Sequence, residues 1–213
     1  MTRPMPPLTE ILVIRHVETQ SNVEGKLQGH LDSALTDVGK LQAKALAARM
    51  PAFEIDALYS SDLGRALATA EEISRTTGKT VIQNPRLRER AYGVLEGLRW
   101  DEARLKFPEI HDGYRNDPEY VIPNGESLRQ LFHRVAAVMT DLAAEHEGRR
   151  IAVVSHGGFI ACLFRFVVEL SLSHPRKARL PNAAINAIDY QDGNWMVRSW
   201  GDTAHLGPDL MTS

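Results

Sequence analysis

Apolar positions along the chain follow two rhythms. Residues 11–14 and 151–154 are short unbroken runs rich in β-branched side chains, the pattern of strands buried on both faces of a parallel sheet. A histidine closely follows each run, His16 after the first and His156 after the second. Other stretches have helical spacing. Thr36 is placed to cap an alanine-rich helix over 37–50. Ser60, Ser61 and Asp62 follow a short strand at 57–59 and open a helix reaching Thr77, and 80–83 reads as a third strand. Leu128, Leu131, Val135, Val138, Met139 and Leu142 fall on one face of a long helix that Gly148 closes. Residues 185–190 and 195–200 form an antiparallel hairpin around a turn at 191–194.

This alternation predicts an α/β fold, with a mostly parallel central sheet flanked by helices on both faces and an antiparallel edge strand. The rhythm fades over 86–125, where prolines stand at 108, 118 and 123. An irregular excursion with one short helix near 100–107 is expected there, of the kind that serves as a substrate lid. Residues 1–7 read as a floppy lead into the first strand.

A length of 213 residues with 43% hydrophobic positions suits one domain with a substantial core. The formal net charge is −2, so no global field recruits nucleic acid or an anionic membrane, and a bound anion must meet a local pocket. Cys162 is the single cysteine, and no apolar run approaches a bilayer span. A reduced, cytoplasmic setting is therefore expected, with no nucleic acid or membrane partner.

The candidate chemistry lies just past the strand ends, where open parallel sheets build their ligand crevice. Arg15 and His16 end the first run, and His156, Gly157 and Gly158 end the other. A guanidinium directly after a buried strand is costly unless an anion or carboxylate meets its fork. Arg65, in the first turns of the second helix, is either a surface arginine or a second clamp for the same anion. By position alone the two histidines are as readily unrelated loop residues as partners. The four side chains together suit a phosphoryl group, whose oxygens take several charge-assisted donors.

Longer blocks carry a resemblance. Arg15-His16-Val17-Glu18-Thr19-Gln20-Ser21-Asn22, then Leu27-Gln28-Gly29, the block from Tyr59 to Ala66, Leu87-Arg88-Glu89 with Gly93, Gly125-Glu126-Ser127 and Val154-Ser155-His156-Gly157 follow one another in order. Together with Asp202 to Leu206, they resemble the histidine phosphatase superfamily, which includes the cofactor-dependent phosphoglycerate mutases, across about residues 10–206. The resemblance implies a phosphoglycerate mutase-like fold and a small phosphorylated metabolite as partner. It implies His16 as the nucleophile, Arg15, Arg65 and a protonated His156 as the phosphate pocket, and Glu89 as proton donor. Asn22, Gln28 and Gly157 fall at substrate-binding positions, while Glu18 and Thr19 are structural supports. The other nitrogen of His16 is expected to be held by a backbone carbonyl. No metal or cofactor is implied, and a homodimer is compatible with the sequence.

Three departures bear on activity. Val17 stands where the family has glycine, which questions the local backbone, although retention of the other positions favours a tolerated change. His156-Gly157-Gly158 matches the phosphatases, whereas the mutases continue with asparagine. The block after Glu89 looks mutase-like, yet Trp100 stands near a mutase basic position and Arg115 is a lone arginine. The favoured reading is a metal-independent phosphomonoester hydrolase working through a phosphohistidine. The alternatives are a phosphoglycerate mutase and a non-catalytic phosphate- or partner-binding module. Without the resemblance, Glu89 reads as a solvated member of the charged run 88–90. His30, His111, His133, His146 and His174 read as surface or structural residues, and His205 as packing.

Overall fold

A computed structural model describes residues 6–174 and 178–212. The expected lead at 1–7 therefore lies mostly outside the described residues. The first strand, β1 (Thr9–Arg15), is followed by a single helical turn, α1 (Gln20–Val23), and by α2 (Asp37–Arg49). Strand β2 (Ala57–Ser60), helix α3 (Gly64–Thr77) and strand β3 (Val81–Gln83) complete the first half. Two helices, α4 (Trp100–Lys106) and α5 (Pro108–Asn116), lead to α6 (Leu128–Glu145). The chain closes with β4 (Arg150–Ser155), α7 (Gly157–Val167), β5 (Ile185–Gln191) and β6 (Asn194–Asp202).

The strand order is β3-β2-β4-β1-β5-β6. The first four strands are parallel, β5 runs antiparallel to β1, and β6 runs antiparallel to β5. The hairpin turns through Asp192 (φ 51°) and Gly193 (φ 78°), a pair of left-handed residues matched to the twist of the strands. Alternation along the strands divides the core. Ile11, Val13, Ile151 and Val153 face α6 and α7, while Leu12, Ile14, Ala152 and Val154 face α2 and α3. The unbroken apolar runs are thus buried on both faces, as their composition predicts.

Thr36 caps α2, its Oγ1 accepting from Gly39 N at 2.9 Å. Ser127 caps α6 in a reciprocal box with Gln130. The expected opening of α3 is displaced: β2 continues through Ser60, and the helix begins at Gly64 without a side-chain cap. Asp62 is held by Arg88 instead, and Ser61 is drawn into the sheet end. Helix α7 is absent from the sequence reading; a short, almost wholly apolar run opened by two glycines is not told from a buried strand by its periodicity alone.

The 86–125 segment is more ordered than expected. Pro108, read as a breaker, sits in the first turn of α5, where its missing N–H costs no helical hydrogen bond. Leu27, Leu95, Ala103 and Ile122 form a third small core, packed by Tyr92, Phe107, Ile110 and Tyr114. Ile122→Ala is expected to lower the unfolding free energy by about 2–4 kcal/mol in urea titration, through lost transfer energy and a residual cavity. An unchanged midpoint would show that this segment is not packed.

Candidate active site

Parallel pairing places Arg15 opposite Ser155 at the ends of β1 and β4. The chains leave neighbouring strands in register, so His16 and His156 emerge side by side, their ring centroids 5.2 Å apart. Strand β2 adds Ser61, whose backbone N–H donates to Val154 O at 3.0 Å. Its Oγ lies 2.8 Å from His156 Nε2. Both histidines are buried.

His16 is oriented by its own backbone neighbourhood. Nδ1 lies 2.7 Å from Val17 O, so Nδ1 carries the proton and the lone pair is on Nε2. Val17 N donates to Thr69 Oγ1, and Asn182 Nδ2 donates to His16 O at 2.9 Å. Asn182 is itself fully buried. Val17 needs no left-handed backbone; its side chain is packed with Ile14, Leu46 and Ala66 in the core. The local backbone at this position therefore does not call for glycine.

The two arginines approach from different elements. Arg15, at the end of β1, donates to Leu180 O and lies against Gly157, where a Cβ would sit 3.5 Å from its Nε. Arg65 is 2% exposed, which excludes the surface reading. Its guanidinium donates to Leu31 O and Gly29 O, each at 2.8 Å, and so ties the 29–31 loop to α3. Its buried Nε has no partner among the described residues. A groove of about 390 Å³ beside it is lined by Asp32, Ser33, Ala34, Leu35, Gly64 and Arg65.

Glu89 is buried rather than solvated. Its carboxylate accepts from Gly158 N at 2.8 Å and Phe159 N at 3.1 Å, at the amino end of α7, and from Arg90 N at 2.8 Å. A Cβ at Gly158 would come within 2.3 Å of Glu89 Oε1, so the glycine after Gly157 makes room for this carboxylate. The flanking guanidiniums point elsewhere: Arg88 pairs with Asp62, while Arg90 donates to Glu126 O and lies over the Tyr114 ring.

Asn22 and Gln28 flank this centre. Asn22 Oδ1 accepts from Thr19 N and is 3.4 Å from Asn182 Nδ2, the amide that also holds His16 O. Gln28 is buried beside the Arg65-bound Gly29, and its Oε1 has no partner among the described residues. Glu18 and Thr19 have the supporting roles expected, Glu18 accepting from Thr36 Oγ1 and Thr19 capping α1. Trp100 is stacked on Tyr114, and Arg115 is exposed on α5.

Sequence reasoning missed three residues that touch this centre. Ser61 lies within a quoted block but was not distinguished from its neighbours. Asn182 and His30 offered no local signal. The reading of His30 as surface or structural holds in its structural form, since its Nε2 donates to Glu89 O at 3.0 Å.

Burial, followed by the charges of Arg65 and Arg15, pushes His16 well below the usual imidazole range. Burial and then Arg65 push His156 down in the same way. The protonated His156 expected around a phosphoryl group thus meets a site that by itself disfavours the charged imidazole, through desolvation and the neighbouring cations. Its buried Nδ1 has no partner among the described residues. In that same set, no group of three or more His, Cys, Asp or Glu side chains could hold a metal ion, and no helix is long and apolar enough to cross a membrane.

The sheet thus carries two imidazoles just past the ends of its central strands, with one guanidinium at the end of β1 and another in the first turn of α3. The family model for branch 1 of the histidine phosphatase superfamily matches residues 11–203, and the chain belongs to that superfamily. It is 39% identical over 205 residues to a metal-independent phosphoserine phosphatase of Arabidopsis thaliana, covering 93% of this chain and 84% of that protein. It is 36% identical to a probable phosphoglycerate mutase, GpmB, of Enterobacter sp. (strain 638), covering 93% and 95%. The structure of Bacillus stearothermophilus YhfR superposes with a TM-score of 0.85 at 32% identity, covering 92% and 98%.

The depressed imidazoles predict a pH dependence of stability. Unfolding lets His16 and His156 take up protons near their ordinary pKa of about 6.5, which the folded state resists. Their contribution is complete above that value and is lost as pH falls towards their depressed folded values. Each adds a slope on the order of 1 kcal/mol per pH unit below pH 6. Urea unfolding of the His16→Gln/His156→Gln double variant should show a flatter fall between pH 7 and 5. A slope as steep as the parent's would contradict neutral buried imidazoles.

Proposed function

We propose that this chain is a metal-independent phosphomonoester hydrolase that transfers a phosphoryl group to His16 Nε2. The observation that carries the reading is the Nδ1 contact with Val17 O, which leaves a lone pair on Nε2 beside Arg15, Arg65 and His156. Attack by Nε2 forms the N–P bond as the ester P–O bond breaks, and Glu89 gives its proton to the departing alkoxide. Water then attacks phosphorus and gives a proton to the Glu89 carboxylate. The N–P electron pair returns to Nε2, and inorganic phosphate leaves.

Charge on the phosphoryl oxygens is met by Arg15 and Arg65, with His156 contributing through Nδ1. The arriving dianion opposes the effects that keep His156 neutral, so substrate itself favours the protonated form. Asn22, Gln28 and the Gly157 amide complete the binding set. The 86–125 segment, through its aromatic core, sets which small phosphorylated metabolite is accepted. A buried reduced thiol at Cys162 suits a cytoplasmic location.

The name of the Arabidopsis relative supports metal independence and hydrolysis. A phosphoglycerate mutase reading is favoured by the block after Glu89 and by the GpmB relative. The exposure of Arg115 and the presence of Trp100 argue against the basic enclosure a mutase needs to keep water from its phosphohistidine.

His16→Ala is expected to abolish both turnover and acid-labile phosphoryl labelling, and turnover of the parent should be unaffected by a chelator. A panel of phosphomonoesters should release free phosphate, and 3-phosphoglycerate with 2,3-bisphosphoglycerate should give little isomerised product. Efficient isomerisation with little phosphate released would establish the mutase reading instead.

A further inference from the structure

Glu89 lies on a stretch, 86–91, that belongs to no sheet, yet its carboxylate must meet a leaving oxygen within a fraction of an ångström. His30 holds Glu89 O and Ser155 Oγ holds Leu87 O, and the most extensive fastening comes from one side chain of α6. Arg134 Nη1 donates to Arg86 O at 2.9 Å and to Arg88 O at 2.7 Å. Its Nη2 donates to Glu89 O at 3.1 Å and Glu126 Oε2 at 2.8 Å, and its Nε donates to Glu126 Oε1 at 2.9 Å. All five N–H donors of the guanidinium are engaged.

Glu126 completes the fastening from the turn before α6. Its N–H donates to Ala91 O at 2.9 Å, its carbonyl accepts from Arg90 Nε at 3.0 Å, and Oε2 accepts from Ala91 N at 3.3 Å. The paired side chains are only 20% and 18% exposed, so solvent does little to loosen them. An ordinary surface ion pair would join two charges; this one gathers three carbonyls of the four residues ending at the proposed acid. His16 lies outside its reach, held by Val17 and Asn182.

We propose that Arg134, oriented by Glu126, is a positioning residue for proton transfer at Glu89. The inference rests on the assignment of Glu89 as proton donor under Proposed function. Arg134 touches no reacting atom; it fixes the peptide that carries the carboxylate. Loss of that fixing slows steps that need a delivered proton and spares the attack by His16.

The test compares kcat/KM, which reports events up to the first irreversible phosphoryl transfer, for two leaving groups. Nitrophenyl phosphate expels a stabilised phenolate with no added proton, whereas a simple alkyl phosphate expels an alkoxide that needs one. Arg134→Gln is expected to lower kcat/KM for the alkyl ester about 10–100-fold and for the nitrophenyl ester less than about 3-fold. Arg134→Lys keeps the charge but lacks the fork, and should show the same split. Glu126→Gln, which leaves Arg134 its carbonyl partners, should show a smaller one and serves if the arginine variants do not fold. Equal losses on both esters, full activity, or rescue by lysine would overturn the positioning role. Glu89→Gln is measured in parallel: a larger split there, not deepened by Arg134→Gln in the same chain, is the expected result. The absence of a split in Glu89→Gln alone would instead overturn Glu89 as the acid and remove the basis of the inference.

Discussion

The in-register parallel pairing of β1 with β4 is the constraint on which the site depends. Strands lie just under 5 Å apart, so residues leaving their carboxyl ends at the same level are neighbours whatever the loops do. His16 and His156 need no long side chain or flexible loop to meet; the hydrogen-bond ladder below them sets their separation. β2, paired on the other side of β4, adds Ser61 at the same level. The two cores on opposite faces of the sheet hold that ladder rigid, and rigidity is what the proposed phosphoryl transfer needs from its scaffold.

Burial at this junction has an electrostatic consequence. Imidazoles removed from water and set beside Arg65 hold protons poorly, which preserves the lone pair of His16. The same crowding of positive character is costly without a counter-ion. The protein meets part of that cost locally: Arg65 leans on the carbonyls of Gly29 and Leu31, and Arg15 on that of Leu180. These contacts also fasten the loops that carry Gln28 and Asn182, so the groups proposed to attract a phosphate also shape the walls around it.

The 86–125 segment answers a different requirement. It carries the proposed acid and a small aromatic core, and it is joined to the rest of the structure through helix ends and carbonyl contacts rather than through the six-stranded sheet. Its helices were only half legible. The short helix near Trp100 was expected, whereas α5 was hidden by Pro108, which looks the same in a sequence whether it ends one helix or starts the next. Glu89 was legible through its block but not through its surroundings, since Arg88-Glu89-Arg90 reads as a solvated charged run. The neighbours that matter to it, Gly158 and Phe159, are far away in sequence and are brought beneath it by α7.

Sequence alone located the two central strands, because unbroken apolar runs rich in β-branched residues are well buried inside a parallel sheet. It also offered Arg15, His16, Arg65 and His156 as candidates at strand and helix ends, and only the resemblance of the ordered blocks assigned them to one pocket. Tertiary structure alone decided the burial of His156 among cations, the orientation of His16 and the fastening of Glu89. Those depend on desolvation and on hydrogen bonds between segments distant in the chain, quantities set by which surfaces meet and not by the order of residues within either one.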